Sequence, residues 1–394
     1  MFKNLKIVEL GLEKIVNKDL SLLKNQRVGL ICNQASVNHR FEHSADLFFE
    51  HSEINLCALF GPQHGIRGDV QDNMVETKHS TDKKTGLPVY SLYSDTREPT
   101  EEMMSKLDTL VFDLQDVGCR VYTFIYTMAF AMRACSKFNK KFVVLDRPNP
   151  INGVNVEGNN LEVGHESFVG LFPIPMRHGL TTGELAMLFN REFDINCELE
   201  IVSMKGWDRK LYYDETDCPW VMPSPNMPTV DTAVVFPGTV MFEGTQISEG
   251  RGTTRPFEIV GATYFDGQEF ATKLIELDLP GIIFRPTNFL PTFQKYKAEA
   301  CSGVFLHVTD RTAFEPVLTG VALIKTAFEM YKESFKWKDT PYEYEFDRNP
   351  FDVINGSGKI RQLIEAGNSL NDIKQFWEND VLQFESMREK YLLY

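Results

Sequence analysis

Five short β-rich apolar runs recur through the first 150 residues, separated by polar or helical stretches. They are RVGLICN (27–33), INLCALF (54–60), LPVYSLY (87–93), LDTLVFDL (107–114) and KFVVLDR (141–147). Most of them are continuous runs of apolar residues rather than an alternation, which is the pattern of strands buried on both faces. Strands of that kind belong to a mainly parallel sheet with helices on either side. The stretch from Phe124 to Phe138, apolar almost all round, reads as a buried crossover helix. TTGELAMLFNREF (181–193) reads as a second helix, opened by a capping box of Thr181 with Glu184. ELEIVSM (198–204) then returns to the same sheet.

The texture changes between about Cys218 and Pro256, where proline and glycine punctuate the chain and helical periodicity is weak. This segment is the expected hinge between two domains, 1–230 and 231–394. Beyond it the pattern predicts a helix over 267–277, strands around 281–286 and 302–310, a helix over 314–335, and a charged helical tail over 358–392. The formal charge is -14, from 41 Lys+Arg against 55 Asp+Glu. Such a field repels nucleic-acid backbones and anionic membranes, so any anionic ligand needs a few local arginines. Seven scattered cysteines without a CxxC pair suit free thiols in a reducing compartment. The N-terminus has no uninterrupted apolar segment and no later stretch is long enough to insert in a membrane, so the expected location is cytoplasmic, or periplasmic if an export signal is processed away.

In doubly wound sheets the chemistry gathers in loops at the carboxyl ends of the strands. Four such loops are unusual. GPQHGIRGD (61–69) sets Gln63, His64, Arg67 and Asp69 among three glycines, and QDVGCRVYTF (115–124) offers Asp116, Arg120 and Tyr122. An arginine there suits a carboxylate held in a bidentate fork, and an internal Asp116–Arg120 pair is the plainer reading. LDRPNPINGVNVEGN (145–159) holds Asp146, Arg147, Asn149 and, as a secondary acid, Glu157; its asparagines suit sugar hydroxyls or loop-closing turns. FEGTQISEGRGTTRP (242–256) packs Glu243, Glu249, Arg251 and Arg255 together. Glycosidases generally need one carboxylic acid and one carboxylate, and these two glutamates are the candidates; salt bridges within the loop are the alternative.

Other motifs fall away. NGSGKI (355–360) has Val353 and Ile360 where a phosphate loop needs Gly and Ser/Thr. No GxGxxG follows the first strand, so no nicotinamide cofactor is expected. The histidines show no metal-ligand spacing, and neither a metal nor another cofactor is expected.

Taken in order, GLICNQAS, LFGPQHGIRGD, LPVYSLYSDTREPT, VFDLQDVGCRVYT, VLDRPNPING, RHGLTTGE, PSPNMPT and FPGTVMFEGTQISEGRGTTRPFE resemble the motif series of the NamZ-type exo-β-N-acetylmuramidases, glycoside hydrolase family 171. The resemblance covers roughly residues 27–300. It implies a Rossmann-like, doubly wound, mostly parallel α/β domain, a smaller α+β domain and an active-site cleft between them. It also implies hydrolysis of the β-1,4 bond from a terminal N-acetylmuramic acid to the next N-acetylglucosamine. Its motifs carry Asn33, His178 and Asn226 into the expected sugar site beside Arg67, Asp116, Arg120, Tyr122, Arg147, Asn149 and Arg251. The catalytic candidates are Glu249, Glu243, Gln63 and His64. Many relatives read PEHG in the first loop, whereas this chain reads Pro62, Gln63, His64, Gly65. A glutamine neither donates nor takes up a proton. The expected general acid is therefore Glu249 or Glu243, with the substrate's own acetamido group as an alternative nucleophile. A sugar-binding protein that has lost hydrolysis is the competing reading.

Overall fold

In the computed structural model, which describes residues 5–66, 76 and 78–394, the apolar runs form one seven-stranded sheet. Its strands are β1 (Arg27–Cys32), β2 (Asn55–Gly61), β3 (Ser80–Thr81), β4 (Pro88–Ser91), β5 (Thr109–Asp113), β6 (Lys141–Leu145) and β7 (Glu198–Val202). The order is β3-β4-β2-β1-β5-β6-β7, and all neighbours are parallel except β3 and β4. Alternate residues feed two cores: Ile31, Phe112, Phe142 and Val144 pack into one, Leu30, Val111, Val143 and Leu145 into the other. That is the two-sided burial which continuous apolar strands require. The chain adds strands outward from β1 in both directions, so a topological switch point lies between β1 and β5.

Helix α1 (Phe124–Lys137) is the buried crossover, and α2 (Thr182–Glu192) opens with the expected box, Thr181 accepting from the Glu184 N–H while Glu184 accepts from Thr181. The later chain builds a second, antiparallel sheet from β8 (Ile259–Ala262), β9 (Ile282–Phe289) and β10 (Cys301–Val308), in the order β8-β10-β9. Helix α4 (Gly267–Ile275) packs against β9 and β10.

One helix departs from the sequence reading. α3 (Val230–Thr239) occupies part of the segment expected to be loop. Nine of its ten residues are buried, so it has no polar stripe to give it a helical period. It crosses α5 (Pro316–Met330) with backbones in contact: a Cβ on Gly320 would sit 2.3 Å from the Gly238 carbonyl oxygen. Glycine is required there by the closeness of approach.

The tail forms helices Lys359–Glu365 and α6 (Leu370–Arg388), the latter capped by Ser369. It returns to the large sheet of its own chain. Arg388 donates to the Val154 carbonyl at 2.7 Å, the Tyr391 hydroxyl to Glu192 at 2.6 Å and the Tyr394 hydroxyl to Asp146, at the end of β6, at 2.7 Å. All seven cysteines are free thiols, and no helix among the described residues is long and apolar enough to cross a membrane.

Candidate active site

A cleft of about 500 Å³, counting its open mouth, lies at the carboxyl ends of the large sheet, and residues of the second half complete it. One wall starts directly after β2. The Gly65 N–H closes a turn on the Pro62 carbonyl at 2.9 Å, and His64 takes a φ of 70° there. This left-handed conformation is uncommon outside glycine, though histidine tolerates it better than most residues, and it sets Gln63 and His64 into the cleft. Tyr122 and Thr123 enter from the start of α1, and Asn226 from the loop before α3.

The opposite wall carries the charges. Glu243 lies in the 3-10 turn Val240–Gly244 after α3, and Arg251 in the glycine-rich loop that follows. The Arg251 guanidinium donates to Glu243 at 2.5 Å and 3.2 Å, and the Tyr342 hydroxyl donates to the other Glu243 oxygen at 2.7 Å. Burial alone would raise the Glu243 pKa, but the Arg251 charge and these hydrogen bonds outweigh it and leave the carboxyl below its ordinary value. Glu243 is therefore ionised at neutral pH.

A second carboxyl in the same cleft has the opposite character. Glu343 is nearly buried, and its pKa is pushed up to about 7, first by burial and then by the negative charge of Glu243, against hydrogen bonds that lower it. Tyr93 donates to one of its oxygens at 2.9 Å, and the Gln63 amide to the other at 3.4 Å. Gln63 in turn accepts from Thr123 at 2.6 Å, which fixes its amide nitrogen toward Glu343 and Tyr93. Two carboxyls whose surroundings push their pKa values apart are the arrangement in which one acts as acid and the other stays charged.

Of the residues singled out in the sequence, Gln63, His64, Tyr122, Asn226, Glu243 and Arg251 share this cleft. Arg67 lies outside the described residues. The others do not line the cleft, and their side chains are engaged elsewhere in the fold. Glu249 is buried against Lys295 at 2.7 Å and lies 3.5 Å from Arg251, a charge held within the fold. Arg120 is fully buried and donates to the carbonyls of Asn159, Ile174, Ile354 and Asn355, so it organises backbone. Arg147 forks onto Asp113 at 2.7 Å and 3.0 Å. Asn33 donates to the Pro223 carbonyl, and Asn149 to that of Leu180. Asp116 accepts from the Gly118 N–H at 2.7 Å and lies 3.3 Å from His178, whose other ring nitrogen accepts from the Leu180 N–H. The secondary candidate Glu157 accepts from the Leu318 N–H at 2.7 Å and so caps the first turn of α5. Arg255 pairs with Glu258.

Glu343, Tyr342 and Tyr93 were missed. Tyr93 stands inside the LPVYSLYSDTREPT motif, but Tyr342 and Glu343 lie in a stretch, YEYE at 342–345, that carries no glycine or asparagine to mark a turn. Outside the cleft lining, His39, Asp217 and Cys218 bring three ligand-type side chains together from distant parts of the chain, with His39 held between Glu13 at 2.6 Å and Asp217 at 3.2 Å. Local spacing does not reveal such a group.

Residues 28–231 match the family model described as exo-beta-N-acetylmuramidase NamZ, N-terminal, and residues 234–394 match its C-terminal counterpart. The chain is 48% identical over 387 residues to the peptidoglycan beta-N-acetylmuramidase NamZ of Bacillus subtilis (strain 168), covering 98% of this chain and 91% of that one. Two crystal structures of DUF1343 family proteins from Bacteroides fragilis NCTC 9343 share the fold. One has a TM-score of 0.89 at 38% identity and the other 0.78 at 30%, each covering 98% of this chain and 99% of its own. The fold is shared along almost the whole of both chains, and the chain belongs to the NamZ exo-β-N-acetylmuramidase family.

Proposed function

We propose that this chain is an exo-acting glycoside hydrolase that releases N-acetylmuramic acid from the non-reducing end of peptidoglycan fragments, cutting its β-1,4 bond to N-acetylglucosamine. The observation that carries this reading is the pair Glu243 and Glu343 in one narrow cleft, one carboxyl held charged and the other held protonated until about pH 7. Glycoside hydrolysis generally needs that division of labour. Arg251, the arginine among the described lining residues, is the group we assign to the lactyl carboxylate of the sugar. We read the chain as two domains, 1–230 and 231–394, with substrate entering between them, and seven free thiols support a reducing compartment.

Release of 4-nitrophenol from 4-nitrophenyl β-N-acetylmuramic acid, run beside the matching N-acetylglucosaminide, tests the reading. Turnover of the muramic compound alone is expected. Binding of N-acetylmuramic acid without turnover of either compound would instead favour a sugar-binding protein, the reading that the amide at Gln63 suggests.

A further inference from the structure

Glu343 stands where two spaces meet. It lines the inner cleft with Glu243 and Arg251, and it also lines an outer cleft formed by Ser94, Arg97, Phe168 and Tyr344. If the terminal sugar occupies the inner space, the next sugar lies in the outer one, and the bond between them passes Glu343. This step rests on the hydrolase reading above.

The backbone at Glu343 is committed to that position. Tyr342 and Glu345 exchange both backbone hydrogen bonds, at 3.0 Å and 2.9 Å, closing a two-residue turn. Its central residues, Glu343 and Tyr344, have φ of 45° and 66°. Such turns are ordinarily made by Asn-Gly or Gly-Gly, because both central positions need positive φ. Two side-chain-bearing residues held there are strained, and strain of this kind concentrates at functional sites. The turn also divides its work between neighbours: Tyr342 reaches Glu243 while Glu343 reaches Tyr93 and Gln63.

We propose that Glu343 is the proton donor to the leaving glycosidic oxygen, with Gln63 and Tyr93 as positioning residues that hold its carboxyl. The acid that many relatives' first-loop pattern would put at position 63 is then supplied from across the cleft. As the bond from C1 to the glycosidic oxygen breaks, its electron pair stays on that oxygen, which takes the Glu343 proton. The carboxyl regains a proton from the water whose hydroxyl ends on C1, so one water is consumed. The titratable groups around Glu343 are Tyr93, Tyr122, Tyr342, His64, Glu243 and Arg251 on the inner side, and Glu76, Asp95, Arg97, Tyr344 and Glu345 on the outer side. The Glu243 charge opposes ionisation of Glu343 and the Arg251 charge favours it, with burial the larger influence.

The test is kcat/KM of parent, Glu343→Gln and Glu343→Asp on two substrates, N-acetylmuramyl-β-1,4-N-acetylglucosamine and the 4-nitrophenyl glycoside, across pH. A nitrophenolate leaves without needing a proton, whereas a sugar alkoxide does not. Glu343→Gln is expected to lose ~100-fold or more on the disaccharide, the usual contribution of a general acid, and at most about tenfold on the nitrophenyl substrate. The parent's activity on the disaccharide should fall as pH rises through about 7, because the donor must be protonated; this limb should vanish in Glu343→Gln and persist in the slower Glu343→Asp. Equal losses on both substrates, or a Glu343→Gln variant within about tenfold of the parent on the disaccharide, would overturn the proposal. Inactivity of the parent on both substrates is a separate outcome, which sinks the hydrolase reading itself.

Discussion

At the scale of single residues, the two glutamates of the glycine-rich loop have different fates. Glu243 opens onto the cleft, whereas Glu249 is spent on Lys295, whose ammonium also donates to the Phe242 and Ile247 carbonyls at 2.8 Å and 2.9 Å. Removing one partner of a buried ion pair leaves the other uncompensated, at a cost of about 3–5 kcal/mol. Glu249→Gln is therefore expected to lower stability by that order in urea unfolding while kcat on the disaccharide stays within about tenfold of the parent. The loops that hold Gln63, His64, Tyr122, Asn226, Glu243 and Arg251 were legible because glycines, prolines and charges cluster in them. Glu343 was not, and the reason is conformational. Its turn contains no glycine or asparagine, so nothing in the local sequence marks the left-handed φ that the backbone takes there. Arg120 was open in the sequence between a ligand fork and an internal pair with Asp116, and its four carbonyl partners could not be read there because they lie 39 to 235 residues away.

At the scale of elements, strands and amphipathic helices were readable from periodicity, and α3 was hidden by being apolar on every side. Its environment is also the least tolerant of change. α3 and α5 touch through Gly238 and Gly320, with no room for a methyl group between their backbones. Gly320→Ala should force the helices apart despite alanine's better helix propensity, costing about 1–3 kcal/mol or more in the way that overpacked cores do. Chemical denaturation checks this. A variant as stable as the parent would show that the crossing adjusts freely. Because α3 leads straight into the turn that carries Glu243, a shift of the crossing is also expected to reduce activity.

At the scale of the whole molecule, the first half is organised around the switch point of its sheet, and the second half contributes to it twice. One contribution is the wall of the cleft, and the other is the tail. The Tyr394 hydroxyl donates to Asp146 and accepts from the Met204 N–H, both at 2.7 Å, and so ties the end of β6 to the segment after β7. Asp146 has its pKa pushed up to about 6, chiefly by burial. Tyr394→Phe leaves the Met204 N–H without this partner, at about 1–3 kcal/mol, while Asp146 keeps its hydrogen bonds from Thr181 and Gly183, and a loss of melting temperature is expected. An unchanged melting temperature would mean that the tail is not a fastening. That the tail is helical could be read from its charge pattern; that it folds back onto the first sheet could not, because its partners lie some 200 residues away. This return has a consequence for how the protein is born. Synthesis proceeds from the N-terminus, and domains tend to fold as they emerge. Here the sugar-facing loops leave the ribosome long before residue 343, and the clasp on Asp146 waits for residue 394. A nascent chain stalled before residue 343 should hold a recognisable sheet without its proposed proton donor, so cleavage is expected only once that residue has joined the cleft.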